Sequence, residues 1–567
     1  MTDTDPSTLL AAVERLRTSV DDLSLPLALE SAEPARTARR ELVQQLDDYV
    51  LPRLRSLDAP LLAVVGGSTG SGKSTLVNSL VGQEVTRPGI IRPTTRASVL
   101  VHTEQDTRWF TDTRVLPDLA RVVDEDGAVD DPGSVRLVGT DALPAGLALL
   151  DAPDIDSVVQ ANRQLSKQLL SAADLWLFVT TAARYADAAP WDLLREASDR
   201  GTSVAIVLNR VPPEALEEVR VHLAGMLREQ GLGQAPIFTV PEVDLEEGRI
   251  PQRQVQRLSG WLHSLAGDVR ARSMVIRRTL TGALGSLGGR VRELARAGRE
   301  QLATRTELED APRTAYADAL RNVGDGVRDG SLLRGEVLAR WQELVGTGEF
   351  LRSVEAGVGR ARDRITAFFT GKEVSSEPLE EALQTGAAAL ITSHGQVAAS
   401  TAARAWKRTA AGEPLVREHP ELGKATPGFT EQVERLIRDW QRDILEMVRE
   451  EAGGRRSTAR YLAFGVNGLA VLLMIVVFSA TSFIPTGAEV AIAGGSAVLA
   501  QRLLEAVFGD QAVREMSRKA RVSLLARVEE LYEQERARFD AVLEEAPVSE
   551  DVIHALDEAA ADVEAAR

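Results

Sequence analysis

The residues Gly67-Ser68-Thr69-Gly70-Ser71-Gly72-Lys73-Ser74 satisfy the spacing G-x-x-x-x-G-K-[ST] without a gap. Those residue types serve one kind of chemistry well. Glycines let successive backbone N–H groups turn inward around phosphate oxygens, and a helix beginning at the lysine adds the partial positive charge of its N-terminus. Lys73 is placed to neutralise the β- and γ-phosphates, and the Ser74 hydroxyl to ligate Mg²⁺, with Thr75 closing the motif. Magnesium prefers oxygen ligands and keeps several waters, so a carboxylate is expected nearby. Asp151 ends the apolar run LALLD and is the candidate, reaching the ion through water; the competing assignment is an N-capping aspartate. Thr94 and Thr95, about twenty residues beyond the loop, could close over a γ-phosphate and release it after hydrolysis.

These residues need a frame. An apolar run, LLAVV at 61–65, precedes the loop and a helical pattern, STLVNSLVG, follows it. Further runs at 98–102, 147–151, 175–180, 203–208 and 237–240 alternate with helix-sized stretches, which predicts a mostly parallel sheet covered on both faces. Residues 103–135, with the acidic DEDGAVDDPG, read as a surface insertion. Residues 8–57 predict one or two amphipathic helices broken at Pro26 and Pro34. Beyond about 250 the strand signals stop, and long Arg/Glu-rich amphipathic helices are expected over 252–308, 312–372, 376–411, 428–452, 509–544 and 549–565.

The totals narrow the function. With 567 residues the chain is too long for one ordinary domain. A net charge of −17 leaves no overall basic footprint, so no nucleic-acid partner is expected. The absence of cysteine excludes disulfides, thiolate catalysis and cysteine metal sites. The histidines at 102, 222, 263, 394, 419 and 554 show no metal-ligand spacing, and the acidic N-terminus does not read as a signal peptide.

One tract stands apart. Residues 461–488 hold no charged side chain, 28 in succession, where about 20 apolar residues suffice to cross a bilayer core. A turn at Pro485-Thr486-Gly487 and a second apolar arm, 491–500, suggest a helical hairpin. Arg455, Arg456 and Arg460 before it, and Arg502, Arg514, Arg518 and Lys519 after it, place both ends on the cytoplasmic side of the membrane. The alternative is a hairpin buried inside the helical bundle, which requires a partner surface about as apolar.

In order and spacing, GGSTGSGKST, RPTTRA, LLDAPD and VLNRVP resemble the motifs of a dynamin-like GTPase, with Arg-Pro-Thr-Thr the most characteristic. The motifs cover about 60–215. The layout of the whole chain is similar to that of bacterial dynamin-like proteins. The resemblance implies an α/β P-loop GTPase domain plus a long all-α stalk carrying an inserted transmembrane helical hairpin. It divides the chain into N-terminal helices (1–57) packing with the stalk, a nucleotide domain (58–250), a helical bundle (251–454), a membrane-inserted hairpin (455–508) and returning helices (509–567). It assigns Gly67–Thr75 to the phosphates, Thr94 or Thr95 to the first switch, Asp151 to the metal and Asn209 to the base. Lys73, Thr94 and Thr95 become the catalytic candidates, and Ser74, Thr95 and Asp151 the Mg²⁺ set. GTP is the implied substrate. A lipid bilayer and self-association, or a related dynamin-like chain, are the implied partners, at the cytoplasmic membrane with the nucleotide domain on the cytoplasmic side.

Three positions depart from the family pattern. Asp154 stands where D-x-x-G has glycine; Asn209-Arg210-Val211-Pro212 lacks the aspartate that reads guanine, which leaves ATP open; Thr69 and Gly70 replace a polar catalytic side chain and a serine. A membrane-bound nucleotide switch with little turnover, and a soluble ATPase with a buried hairpin, are the competing functions. An ABC ATPase is not: Ala152 follows Asp151, and Leu258-Ser259-Gly260-Trp261 fails the signature.

Overall fold

Bulky residues in short apolar runs bury two faces at once, and such strands form the centre of one eight-stranded sheet. The strands are β1 (Leu61–Gly67), β2 (Ser98–His102), β3 (Ala120–Val122), β4 (Ser134–Gly139), β5 (Leu147–Asp151), β6 (Leu175–Thr181), β7 (Ser203–Val211) and β8 (Ile237–Pro241). Their order is β3-β4-β2-β5-β1-β6-β7-β8, and among them only β2 runs antiparallel to its neighbour β5. The structure, a computed structural model, describes residues 6–567 apart from 87–97, 113, 117–118, 123–132, 157–159, 200, 334–335, 346–376, 454–457, 480–499 and 506.

The chain forms two compact units. One comprises Met1–Leu25, Ser31–Glu300 and Ser549–Arg567; the other comprises Pro26–Glu30 and Gln301–Val548. In the first, Leu62 and Val64 of β1 share one core cluster with Leu169, Leu194 and Leu223, while Leu61, Ala63 and Val65 share another with Leu76, Leu80, Val255 and Leu262. Both faces of the sheet are therefore covered by helices, as near-continuous apolar strands require. Pro34 does not break the N-terminal helices as expected; it lies in the first turn of the helix Ala32–Gln45, where a missing N–H costs nothing. Pro312 likewise lies within a helix that runs unbroken over Val269–Arg328.

The second unit is all-helical, built on Glu377–Lys407, Phe429–Gly453, Thr458–Val477 and Asp510–Glu544 with the second half of Val269–Arg328. Its buried aromatic groups are tied down: Trp406 Nε1 donates to Leu308 O, Trp440 Nε1 to Ala520 O and Tyr532 OH to Ile391 O, each at 2.7 Å.

Here the apolar tract departs from expectation. Every residue from Leu469 to Phe478 is buried in this unit's own core. The apolar partner surface comes from helical stripes on its neighbours, Val433, Ile437, Trp440, Ile444 and Val448 on one and Val513, Met516, Ala520 and Leu524 on another. Arg521 donates through Nη2 to Val477 O at 3.0 Å, putting a cation on the carbonyl end of the helix. Among the described residues no helix is long and apolar enough to cross a membrane. The expected turn at Pro485 and the second arm lie largely outside the described residues.

Candidate functional site

In an open parallel sheet, ligands collect beyond the carboxyl ends of the strands. Register brings the predicted residues there. Val65 pairs with Asp151, Gly67 with Val179 and Thr181 with Asn209, so the ends of β5, β1, β6 and β7 stand side by side. The loop leaves β1 at Gly67 and enters the helix Lys73–Val81 at Gly72, whose φ of +87° is left-handed. Gly72 also has no room for a side chain, because a Cβ there would meet Asn209 Nδ2 at 2.6 Å.

Lys73 is buried, and its Nζ donates to Gly67 O at 2.9 Å and Ser68 O at 3.3 Å and pairs with the Asp154 carboxylate. Ser68 Oγ and Ser71 Oγ, in the same loop, are buried with no hydrogen-bond partner among the described residues. Polar groups enclosed without partners are costly, and a loop that keeps two of them is shaped for a polar ligand.

Asp151 lies beside Lys73, and burial pushes its carboxyl up; the Ser74 hydroxyl, Lys73 and the Thr86 hydroxyl pull it down, while Asp154 adds to the rise. Its Oδ1 has no hydrogen-bond partner among the described residues. A hydrated Mg²⁺ would satisfy that orphaned oxygen, and Ser74 and Asp151 are the hard oxygen donors such an ion takes, so these residues fit it. Mg²⁺ bound there would supply charge neutralisation at the phosphates, and Ser74 and Asp151 are the residues that would hold it.

Asn209 is placed at the loop. Its Nδ2 donates to Ser71 O at 2.8 Å, fixing the loop from the end of β7. Arg210, which follows it, adopts a φ of +53°. Removing the amide by Asn209→Ala leaves Ser71 O without that donor, and we expect about fivefold weaker nucleotide binding for about 1 kcal/mol of lost interaction. Titration with a fluorescent nucleotide measures it.

Thr94 and Thr95 lie outside the described residues. The last described residues before them are held firmly: Asn78 Oδ1 accepts from Val85 N and Thr86 N, each at 2.9 Å, and Asn78 Nδ2 donates to Thr86 O at 2.7 Å. Three further residues escaped the sequence reading in this role. Asp156 Oδ1 accepts from Thr69 N at 2.6 Å and Thr69 Oγ1 at 2.7 Å, and Arg184 Nη1 bridges Thr69 O and Asp156 Oδ2. Burial works to raise the Asp156 carboxyl, but the Thr69 hydroxyl and N–H together with Arg184 outweigh it and hold it below its ordinary value. The repeated acids of DAPDID hinted at Asp156; nothing in sequence pointed to Asn78 or Arg184.

A glycine-lined loop between a central strand and a helix, with a buried lysine and an adjacent strand-end carboxylate, defines a P-loop nucleoside triphosphatase. Residues 62–211 match the model of the Dynamin family, so this segment is a dynamin-like P-loop GTPase domain. It is similar to the probable transmembrane GTPase FZO-like, chloroplastic, of Arabidopsis thaliana, 23% identical over 158 residues. That match spans 27% of this chain and only 15% of the plant protein's length. Among solved structures, one from an oligomerised bacterial dynamin pair aligns at 10% identity over 100% of this chain and 96% of its own, with a TM-score of 0.44. The LeoA bacterial dynamin GTPase from ETEC aligns at 12% identity over 99% of this chain and 100% of its own, with a TM-score of 0.25.

Proposed function

We propose that this chain hydrolyses GTP to GDP and phosphate and couples the cycle to membrane tethering or remodelling. The observation that carries the catalytic part is the buried Lys73 amine at the mouth of a glycine loop, with Asp151 at the end of the adjacent strand. Lys73 and the loop N–H groups stabilise charge on the transferring phosphoryl group. Ser74 and Asp151 hold the metal, Thr94 or Thr95 orders the attacking water, and Asn209 keeps the loop in shape from the base side.

The membrane part rests on other support, the likeness of the nucleotide domain to a protein named as a transmembrane GTPase. In this reading the nucleotide domain works on the cytoplasmic face, and copies of this chain, or a related chain, pair through the cycle. A second reading is a membrane-bound nucleotide switch with little turnover, favoured by Asp154 standing at the family's glycine.

The test is hydrolysis of GTP and of ATP by the full chain, with and without anionic liposomes, beside Lys73→Ala. We expect GTP turnover that rises on liposomes and falls about a hundredfold or more in the variant. Preference for ATP would make Pro212 decisive and overturn the GTP assignment. Tight GTP binding without turnover selects the switch. Failure of the chain to co-sediment with liposomes would refute the membrane part.

A further inference from the structure

Lys73 has no donor to spare. An ammonium group carries three N–H bonds, and here three oxygens face it: Gly67 O, Ser68 O and the Asp154 carboxylate. The two carbonyls belong to the loop backbone. Only Asp154 is a side chain, and at 35% exposure it can swing out while Lys73, at 5%, cannot. We infer that Asp154 is an internal anion that occupies Lys73 in place of a nucleotide phosphate, so that the site opens only when a phosphate displaces it. The inference rests on the reading of this loop as a nucleotide site and concerns a position where the chain departs from the family pattern.

The segment carrying Asp154 is docked on the loop at several points. Ala152 N donates to Val65 O at 3.2 Å and Ile155 N to Gly67 O at 3.4 Å. Asp156 takes the Thr69 N–H and hydroxyl, with Arg184 fastening both. Pro153, with its fixed φ, sits between these anchors. Neighbours on both sides therefore deliver the Asp154 carboxylate to Lys73. A glycine at this position would offer no competing charge.

Two consequences follow from Coulomb's law in a partly buried site. Phosphate oxygens arriving at Lys73 meet a carboxylate already there, which weakens binding. A triphosphate contacts Lys73 through two phosphates and a diphosphate through one, so the triphosphate meets the larger penalty. The wild-type site is accordingly one of weak affinity and fast exchange, emptied by its own aspartate.

The test is binding and stopped-flow dissociation of N-methylanthraniloyl GTP and GDP, with Mg²⁺, on the full chain and on Asp154→Asn, Asp154→Gly, Lys73→Ala and the double variant Asp154→Asn/Lys73→Ala. We expect Asp154→Asn and Asp154→Gly to bind the triphosphate at least about tenfold more tightly, chiefly through slower dissociation, with a smaller gain for the diphosphate. In the Lys73→Ala background the Asp154 change should yield nothing, because the two act through one contact. Affinities within about twofold of wild type overturn the inference and leave the nucleotide site standing. Weaker binding by both Asp154 variants also overturns it, and makes Asp154 a ligand of the nucleotide or its metal. If neither wild type nor the Asp154 variants bind, the nucleotide reading itself falls. Circular dichroism of each variant separates all of these from misfolding.

Discussion

Gly67→Ala should abolish nucleotide binding, with a loss of affinity of about a hundredfold or more. A Cβ at this position would lie 2.0 Å from Val179 O. That oxygen belongs to β6, which is paired with β1 on one side, Gly67 against Val179, and with β7 on the other, Val179 against Val207. A carbonyl in the middle of a parallel sheet has nowhere to retreat. The backbone adds to the difficulty, since Gly67 has a φ of +155°, a conformation that L residues rarely adopt. The end of β1 must therefore move, and with it Gly67 O, one of the oxygens that positions the Lys73 amine. Lys73 supplies charge at the phosphates, and hydrogen bonds to charged groups are worth about 1.5–3 kcal/mol each, so losing one or two of them gives the expected magnitude. The comparison is Gly82→Ala. Gly82 ends the helix Lys73–Val81 at φ +75°, and a Cβ there would have nothing within 4 Å. That substitution should cost about 1–2 kcal/mol of stability and leave binding intact. Calorimetric titration with GTP, beside circular dichroism, reads both. Equal behaviour of the two variants would show that the contact with Val179 does not control the loop.

The contrast between those glycines explains what sequence can and cannot reveal. A P-loop is legible because its chemistry forces residue types at fixed offsets: glycine where side chains collide, lysine where charge is needed, and a hydroxyl next to it. Six of the eight strands were legible for a similar reason, since a strand buried on both faces can hold little but bulky apolar residues, whereas β3 and β4 were not, and the segment 103–135, expected as a surface insertion, supplies Phe110, Leu116, Leu119 and Val135 to the core. Asn209 was expected at the base, and the structure gives it a hydrogen bond to the loop. Arg184 could not. It lies 115 residues from Thr69, and one arginine among the 66 basic residues carries no mark of the carbonyl it will meet.

The apolar tract fails for a different reason. An uncharged run records exclusion from water, and a protein interior excludes water as a bilayer does. What decides between them is the partner surface. Val433, Ile437, Trp440, Ile444 and Val448 each fit an amphipathic helix in isolation, and only together do they supply a wall for Leu469–Phe478. Pro312 marks the same limit on a smaller scale. Local propensity predicts a break of about 3 kcal/mol, yet packing of Leu308, Ala315, Tyr316 and Ala319 in the helical core holds the helix through it.

The second large effect lies away from the phosphates. Asp174 is fully buried immediately before β6, where it pairs with Arg53, 8% exposed, and accepts from Leu62 N at 2.7 Å. Burial pushes its carboxyl up, and Arg53, Leu62 N–H and Tyr49 only partly offset this. The ionised pair is therefore a costly thing to bury and a worse thing to break. Asp174→Ala leaves a guanidinium inside the fold with Ala59 O and Pro60 O as its remaining hydrogen-bond acceptors, and takes the side-chain acceptor from the Leu62 N–H near the start of β1. The expected loss is about 3–5 kcal/mol. Replacing both partners with apolar residues, Arg53→Met with Asp174→Leu, should recover most of it, because no charge is then left unpaired. Because the chain forms two units, a single melting temperature would blur the result, and hydrogen exchange resolved by peptide is the better measure. Protection should fall in β1 and β6 of the single variant and remain unchanged in the helix Phe429–Gly453. An unchanged β1 would mean that Arg53 finds water or another acceptor, and that the pair positions nothing. A fall in β1 that the double variant repairs would make the pair a charge-specific clasp whose removal is tolerated, holding the N-terminal helices at the amino edge of the same strand whose other end carries the phosphate loop.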